Sequence, residues 1–333
     1  MTNLDFSPAN LINLLQKENM ETIILEILKI KPDLTDNFLR ESIKIENYIV
    51  QKNIDLILPH LDLKYFINYR SFLFLFENDS HYSRNCLLDL FELLIIYFKT
   101  TGNIEAIKEL TVLISERLSD SNLYVRSKSL SVISNLFKKE CILKDQRNDL
   151  IKDSMSRIRD KTVIVRKKSI NLLSQILLNH PFKDKTSLER SNNADIANNE
   201  KSKKSLGVKD KMNEDFNVFV DLMESSLKLI VSLLDCDLKT DLIEILSFIK
   251  LSYLFKVKGS KDAIYKMLGL VFTKDKQIII DVFKEILTRR GKILYEFIND
   301  RAAEVILSNL EIDENRYLKI CSLTTSHLKA FTC

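Results

Sequence analysis

The sequence predicts an all-α protein built as a solenoid of stacked antiparallel helix pairs. Three observations support this prediction: an internal repeat of about 40 residues, apolar residues at helical spacing over most of the chain, and a scarcity of turn residues. The 333 residues include only five Gly and four Pro. Folds that are all-β or of the Rossmann α/β type need turn glycines at many corners, so helices joined by short polar turns fit this composition best.

The internal repeat is clearest in two stretches that lie forty residues apart. Asp120 in the first stretch aligns with Asp160 in the second, and Ser129 aligns with Ser169. The two stretches are 119–137 (SDSNLYVRSKSLSVISNLF) and 159–177 (RDKTVIVRKKSINLLSQIL). A period of about 40 to 47 residues with two helices per unit is typical of HEAT repeats. We therefore predict an all-α HEAT-repeat solenoid.

Helical patterns follow the chain in order. Ser7 and Pro8 match the N-cap and first position of a helix, and a proline-directed phosphorylation site is the alternative interpretation of this dipeptide. The aromatic-rich segment 62–77 is expected to be helical and to lie in the packed core, rather than to form a platform for stacking bases. The predicted helices cover about 8–18, 20–31, 35–52, 62–77, 81–99, 104–118, 123–140, 146–158, 164–179, 215–234, 239–256, 260–272, 276–289, 293–309 and 314–330.

One segment interrupts the helical pattern. Residues 183–213 contain few large apolar residues, and they carry eight Lys or Arg against five Asp or Glu. We predict that this segment is a disordered, polar and basic insertion. The predicted organisation is an N-terminal helical region 1–78, HEAT repeats 79–182, the insertion 183–213, and C-terminal helical repeats 214–333.

Composition and motifs exclude several functional classes. The formal net charge of +4 permits binding of nucleic acid without requiring it. Five isolated cysteines without a CxxC pair predict a reducing compartment, and no signal peptide or membrane-spanning run is apparent, so a soluble intracellular protein is expected. None of the sequences GxxxxGK[ST], GxGxxG, HExxH or GxSxG occurs, and the four histidines are far apart. We therefore expect no enzyme activity, no cofactor, no metal and no small-molecule substrate.

A repeated arginine lies on the apolar stripe of its helix. Arg126 falls on the same helical stripe as Leu130 and Ile133, and Arg166 repeats this position forty residues later. A weaker copy forty-two residues upstream contains Arg84, with Asn78 and Asp79 at its turn. A buried charge must be paired. We therefore interpret Arg84, Arg126 and Arg166 as structural, with Asp120 and Asp160 as acceptors within or between repeats.

Lysines on the same helices are the first candidates for ligand binding. Lys128 lies about 200° around the helix from Arg126 and is expected to face solvent. Lys168 is its equivalent in the next repeat, Lys167 is adjacent, and Lys139 returns to the same face. This lysine row could contact successive phosphates of DNA along the concave surface, whereas the alternative is an ordinary solvated helix face.

Two further basic clusters are weaker candidates for DNA binding. The segment EKSKKS in the insertion holds the first cluster, which is also compatible with a nuclear-import signal or with a plain spacer. The second cluster follows a predicted helix end, where cations also complement the helix dipole. The residues are Lys201, Lys203 and Lys204 in the first cluster, and Arg289, Arg290 and Lys292 in the second.

The amino-acid sequences of the repeats, and the order in which they occur, resemble a known family. The stretches 79–95, 118–137 and 158–185, followed by 240–287, resemble consecutive HEAT repeats of the D2-type non-SMC subunits of condensin. The segment NHPF after the third repeat, followed by a polar insertion, is similar to that family as well. Members of the family are much longer, so the resemblance implies that this chain is a fragment or a reduced form.

The resemblance implies a regulatory subunit without enzymatic activity. Such a subunit binds a kleisin and the SMC ATPase heads, helps to hold and compact double-stranded DNA in mitotic chromosomes, and resides in the nucleus. The competing interpretation is a HEAT or armadillo adaptor, such as a transport or phosphatase scaffold, which binds proteins through a peptide groove and does not bind DNA. Neither interpretation involves a membrane.

Overall fold

A computed structural model describes most of the chain as α-helices joined by short turns and 3-10 segments. The described residues are 7–17, 21–30, 35–43, 45, 48–66, 68–180, 182, 206–235, 241–272 and 276–289, and these ranges contain no β-strand. The helices are α1 (Pro8–Leu15), α2 (Glu21–Ile30), α3 (Thr35–Ile43), α4 (Tyr48–Ile57), α5 (His81–Thr101), α6 (Ile104–Glu116), α7 (Leu123–Lys138), α8 (Lys144–Ser156), α9 (Val163–Leu178), α10 (Leu206–Ser232), α11 (Leu242–Leu254), α12 (Ser260–Gly269) and α13 (Lys276–Arg289).

The chain divides into two compact units, Met1–Asn179 and His180–Cys333. In the first unit, α5, α7 and α9 pack side by side in one layer, while α6 and α8 pack against each other in a second layer. Each helix of the second layer also packs on the helix that follows it, so α6 with α7 and α8 with α9 form the repeated helix pairs. Helices α1 to α4 continue this alternation, because α1 packs on α3 and α2 packs on α4. The fold is an all-α solenoid, as the sequence predicts.

Local sequence explains where these helices begin and end. Gly102 closes α5 in the left-handed conformation with φ of 77°, which is unfavourable for residues with a Cβ. The next residue, Asn103, caps α6 by accepting a hydrogen bond from the backbone N–H of Ala106 at 3.2 Å. Asn122 caps α7 in the same manner through the N–H of Tyr124 at 2.8 Å.

Two equivalent serines hold the helices of each pair together. The Ser129 hydroxyl donates to the Ile114 carbonyl at 2.6 Å, and the Ser169 hydroxyl donates to the Ser154 carbonyl at 2.6 Å. Both serines are buried. A small hydroxyl residue at this position satisfies a carbonyl near the end of the preceding helix, where the intrahelical hydrogen bonds run out.

The aromatic-rich segment 62–77 differs from its prediction in conformation but not in location. It forms two 3-10 segments, Leu63–Phe66 and Tyr69–Glu77, instead of one α-helix. Phe72 and Phe76 are buried, and Tyr69 packs edge-on against Phe91 and Phe98 of α5. The segment therefore belongs to the core. The predicted helix 35–52 is likewise two helices, because α3 ends at Ile43 and α4 begins at Tyr48.

The second unit repeats the paired arrangement. Helix α11 packs on α10, α12 and α13, and the side chain of Lys250 on α11 pairs with Glu285 on α13 at 2.5 Å. His180 and Phe182 of the NHPF segment pack against Phe219 of α10, with ring centroids 5.9 and 5.7 Å away. This segment therefore anchors the start of the second unit.

One predicted boundary is wrong, because α10 begins at Leu206, inside the stretch 183–213 that the sequence assigns to an insertion. Helix formation spreads towards the N-terminus from a packed segment that includes Phe216 and Phe219, and Lys and Asp at 209–211 do not break a helix. Residues 183–205 and the predicted helices at 293–309 and 314–330 lie outside the described residues.

Candidate binding face of helices α5, α7 and α9

The repeated arginines and aspartates form a buried ladder between successive repeats. Arg84 at the start of α5 reaches Asp120 in the next turn, with Nε 3.1 Å from Oδ2 and Nη2 3.1 Å from Oδ1. Arg126 of α7 approaches Asp160 with the same two nitrogens, and here both form hydrogen bonds, at 2.9 and 3.0 Å. The Arg126 and Asp160 side chains are each only 5% exposed. The acceptor therefore lies one repeat ahead of the donor.

The third guanidinium nitrogen holds the turn of the arginine's own repeat. Nη1 of Arg126 donates to the carbonyls of Asp120 and Ser121, at 2.8 and 3.0 Å. Nη1 of Arg84 donates to the carbonyls of Asn78 and Asp79 in the same manner. Each arginine thus fixes its own turn and the carboxylate of the next turn, which supports the structural interpretation of these residues.

The acceptor carboxylates also hold the beginning of their own helix. Asp160 Oδ1 accepts hydrogen bonds from the backbone N–H and the hydroxyl of Thr162, at 2.9 and 2.8 Å. Burial raises the pKa of Asp160, but the hydrogen bonds from Arg126 and Thr162 outweigh this effect and hold the pKa below its ordinary value. The carboxylate therefore remains ionised beside Arg126.

The two ends of the ladder differ from its middle. At the first turn, Asn78 occupies the position of Asp120 and accepts from the Ser80 N–H at 2.8 Å. An uncharged amide can make this local contact without an arginine partner. At the other end, Arg166 is buried and its Nη1 donates to the Asp160 carbonyl at 3.0 Å, so its contact with its own turn is also present.

The lysine row lies on the exposed face of the same helices, and part of it is neutralised. Lys128 pairs with Asp89 of α5 at 2.6 Å and is only half-exposed, which differs from the prediction that it faces solvent. Lys139 is exposed and pairs with the buried Glu92 of α5 at 3.3 Å. Asn135 also donates to Glu92 at 3.3 Å. The contact between α5 and α7 therefore carries little net charge on this face.

The same face between α7 and α9 has a different charge. The residues of α7 that correspond to Asp89 and Glu92 are Ser131 and Ser134, so α7 offers no carboxylate there. Lys168 is exposed and forms no ion pair with any residue that the structure describes. Lys167 is half-buried beside it. Within the described part of the lysine row, the uncompensated positive charge is thus that of Lys168 on α9.

The structure describes only one residue of the two weaker basic clusters. Lys201, Lys203, Lys204, Arg290 and Lys292 lie outside the described residues, and Arg289 is the last residue of α13 in the second unit. Among the described residues, no group of His, Cys, Asp and Glu is arranged to hold a metal ion, and no helix is long and apolar enough to cross a membrane.

Sequence reasoning missed a row of residues at the beginning of these helices. Tyr82, Tyr124 and Ile164 are the second residues of α5, α7 and α9, and the last two are large exposed side chains. The ring of His81 stacks on that of Tyr124 at a centroid distance of 5.2 Å. The signal was present in the repeat alignment, because the three positions are separated by 42 and 40 residues.

The paired helices, the period of about 40 residues and the buried ladder define a helical-repeat protein of the HEAT-like class. No protein-family model matches the chain. The chain is 33% identical over 79 residues to condensin complex subunit 1 of Saccharomyces cerevisiae (strain ATCC 204508 / S288c). The match covers 24% of this chain, and it spans only 7% of the length of that relative.

Two solved structures resemble the chain more loosely. An engineered protein has 11% identity and a TM-score of 0.49, with coverage of 97% of this chain and 74% of that one. A designed armadillo repeat protein in complex with the peptide (KR)4 has 13% identity and a TM-score of 0.41, with coverage of 84% of this chain and 98% of that one.

Proposed function

We propose that the chain acts as a non-enzymatic HEAT-repeat subunit of a condensin-type complex. The observation that carries this proposal is the 33% identity to condensin complex subunit 1 over 79 residues. The ordered series of repeats and the NHPF segment support it, because both resemble the same family. In this role the chain binds kleisin and SMC subunits and works at mitotic chromosomes in the nucleus.

The fold suits a scaffold that binds other macromolecules. Helical repeats present long surfaces of adjacent helices, and each repeat depends only on its neighbours for packing. The buried ladder fixes the spacing of α5, α7 and α9, so side chains on their exposed face keep a constant separation. Partners are then recognised by several repeats together.

The proposed contact with DNA is electrostatic and independent of sequence. Lys168 is its best candidate, because it is exposed and forms no ion pair with any residue that the structure describes, and Lys167 lies beside it on α9. Lys128 and Lys139 contribute less, since each is already paired with one of these two acids. Phosphate contacts of this kind weaken steeply as the salt concentration rises.

Co-purification tests the proposed complex. A tagged full-length chain, expressed in its own cells, is expected to bring down SMC and kleisin chains in stoichiometric amounts. A destabilised variant such as Arg126→Ala is the matched control for non-specific capture by misfolded protein. Recovery of the tagged chain without SMC and kleisin chains would contradict the proposal.

A mobility-shift titration tests the contact with DNA. Lys168→Glu is expected to weaken binding of a non-specific duplex and to reduce the salt slope by about 1. Lys152→Glu is the matched control, because Lys152 is an exposed lysine on α8 in the other layer. Equal affinities and equal slopes for both variants would exclude the lysine row.

The second candidate function is a protein-binding adaptor of the HEAT or armadillo type without DNA binding. The observation that favours it is the neutralisation of Lys128 and Lys139 by acids of α5, which leaves a shorter basic stretch than the sequence indicates. This alternative predicts no salt-sensitive DNA binding by the wild-type chain, so the same titration separates the two functions.

A further inference from the structure

Exposed aromatic and apolar side chains recur at equivalent positions of α5, α7 and α9, and neither the ladder nor the lysine row explains them. They occupy the second position of each helix, where Tyr124 is 53% exposed and Ile164 is 48% exposed. Tyr82 is half-exposed, and the ring of His81 lies 4.1 Å from that of Tyr82 and 5.2 Å from that of Tyr124. We call these four residues, His81, Tyr82, Tyr124 and Ile164, the ridge.

Folding alone does not account for the ridge. Tyr and Ile are only moderate helix formers, and an exposed β-branched or aromatic side chain gains little from the helix around it. Single exposed apolar residues are ordinary, but these lie at equivalent positions of adjacent helices that pack together. Adjacent helices pack about 8–10 Å apart, so the ridge is a regularly spaced apolar surface.

The polar atoms of the ridge are available to a ligand. The hydroxyls of Tyr82 and Tyr124 and the imidazole of His81 make no hydrogen bond to any of the described residues. Tyrosine is common at binding surfaces because its ring is buried while its hydroxyl forms a hydrogen bond. The ridge therefore combines apolar contact area with donors that suit carboxylate or carbonyl oxygens.

Charge changes sign along the ridge. The turn residues just before it are equivalent in the three repeats: Asp79 before α5, Ser121 before α7 and Lys161 before α9. All three are exposed, and Lys161 forms no ion pair within the described part of the chain. A complementary ligand is therefore acidic at the end that meets α9.

From this arrangement we infer that the ridge binds an extended segment of a protein partner that carries apolar side chains and, towards α9, carboxylates. A segment in the polyproline II conformation has three residues per turn and rises about 3.1 Å per residue, so every third side chain lies on one face at intervals of about 9 Å, which match the spacing between helices. Duplex DNA does not fit as well, because its surface backbone is dominated by charged phosphates, which do not match the apolar side chains of Tyr124 and Ile164. The chain's own segment 183–205 fits poorly, since its six Lys or Arg outnumber its four Asp or Glu.

This inference deepens the proposed function, on which it rests for the partner being a protein chain of the complex. The chemistry of the occupant follows from the ridge itself and holds whichever complex the chain joins.

A labelled twelve-residue peptide with Leu at every third position and Glu and Ser between them is the probe. Fluorescence anisotropy with the full-length chain is expected to show saturable binding. The double variant Tyr124→Ala/Ile164→Ala is expected to weaken it by about tenfold, as for a truncated interface anchor. Ile104→Ala is the matched control, because Ile104 is 54% exposed but lies on α6 in the other layer. Lys161→Glu is expected to weaken binding of this peptide. It is expected to strengthen binding of a second peptide that has Lys in place of Glu.

The inference would be overturned if the peptide showed no saturable binding to the wild-type chain, or if it bound the ridge variant and Ile104→Ala with equal affinity. It would also be overturned if the ridge variant lost binding of duplex DNA and kept binding of the peptide. Matching unfolding midpoints for wild type and variants establish that folding is unaffected. If SMC and kleisin chains co-purify with wild type while the peptide does not bind, the ridge is overturned and the proposed function stands. If they do not co-purify with wild type while the peptide still binds the ridge, the proposed function fails and the ridge stands.

Discussion

The contact between α5 and α7 and the contact between α7 and α9 share one buried ladder but carry different exposed charges. In both, Nη2 of an arginine donates a hydrogen bond to Oδ1 of the aspartate in the next turn, at 3.1 and 3.0 Å. On the exposed face, the first contact pairs Lys128 with Asp89, whereas Lys168 in the second has no ion-pair partner among the described residues. The comparison teaches that one repeat unit can conserve its packing contacts while its surface charge changes from repeat to repeat.

The largest effect is expected from breaking the ladder at the second contact. Arg126→Ala removes the partner of a buried carboxylate and should lower the free energy of unfolding by about 3–5 kcal/mol. Urea denaturation followed by circular dichroism measures this loss. Lys128→Ala, on the same helix, is the control, and a loss of similar size in both variants would show that the ladder does not dominate the packing.

Acid titration sharpens the same comparison. Because the pKa of Asp160 in the folded protein lies below its unfolded value, its contribution to stability is complete above about pH 5 and is lost as the pH falls through the lowered pKa. Asp160→Asn should therefore be destabilised at neutral pH. Between about pH 5 and pH 3 it should lose less additional stability than wild type. Parallel stability curves for the two proteins would contradict the role of this carboxylate.

The smallest effects are expected on the exposed face. Lys128→Ala should cost at most about 1 kcal/mol, because it breaks a partly exposed ion pair, and about 1 M salt should remove most of that cost. Lys168→Ala should leave the free energy of unfolding nearly unchanged. If Lys168→Ala lowers the free energy of unfolding more than Lys128→Ala does, the ion pair of Lys128 is not what distinguishes the two helix contacts.

The sequence contained enough information for the ladder but not for the surface. Alignment of the repeats identified Arg126, Asp120 and Asp160 as donors and acceptors, since a charge on an apolar stripe needs a partner. It left open whether the acceptor lies in the same repeat or the next one. The partner of Lys128 could not be identified from the sequence. Asp89 lies on a neighbouring helix, and the contact depends on how α5 and α7 are oriented about their axes.

Local conformation was least predictable where the tertiary environment decides it. The segment Tyr69–Glu77 has a helical composition, but it packs on α5 as a 3-10 segment. No proline or glycine separates α3 from α4, so the division of the predicted helix 35–52 follows from the packing of α4 on α2 and α5. The condensin resemblance came from the wording of the repeats, which periodicity alone does not contain.

The forward direction of the ladder makes whole repeats interchangeable. Arg84 contacts Asp120, and Arg126 contacts Asp160 through the same atoms. Excision of residues 120–159 would place Asp160 at the position that Asp120 now occupies after Arg84. Arg84 and Asp160 would then form the same contact that Arg84 and Asp120 form in the intact chain. The ladder therefore permits this protein to gain or lose length in steps of one repeat.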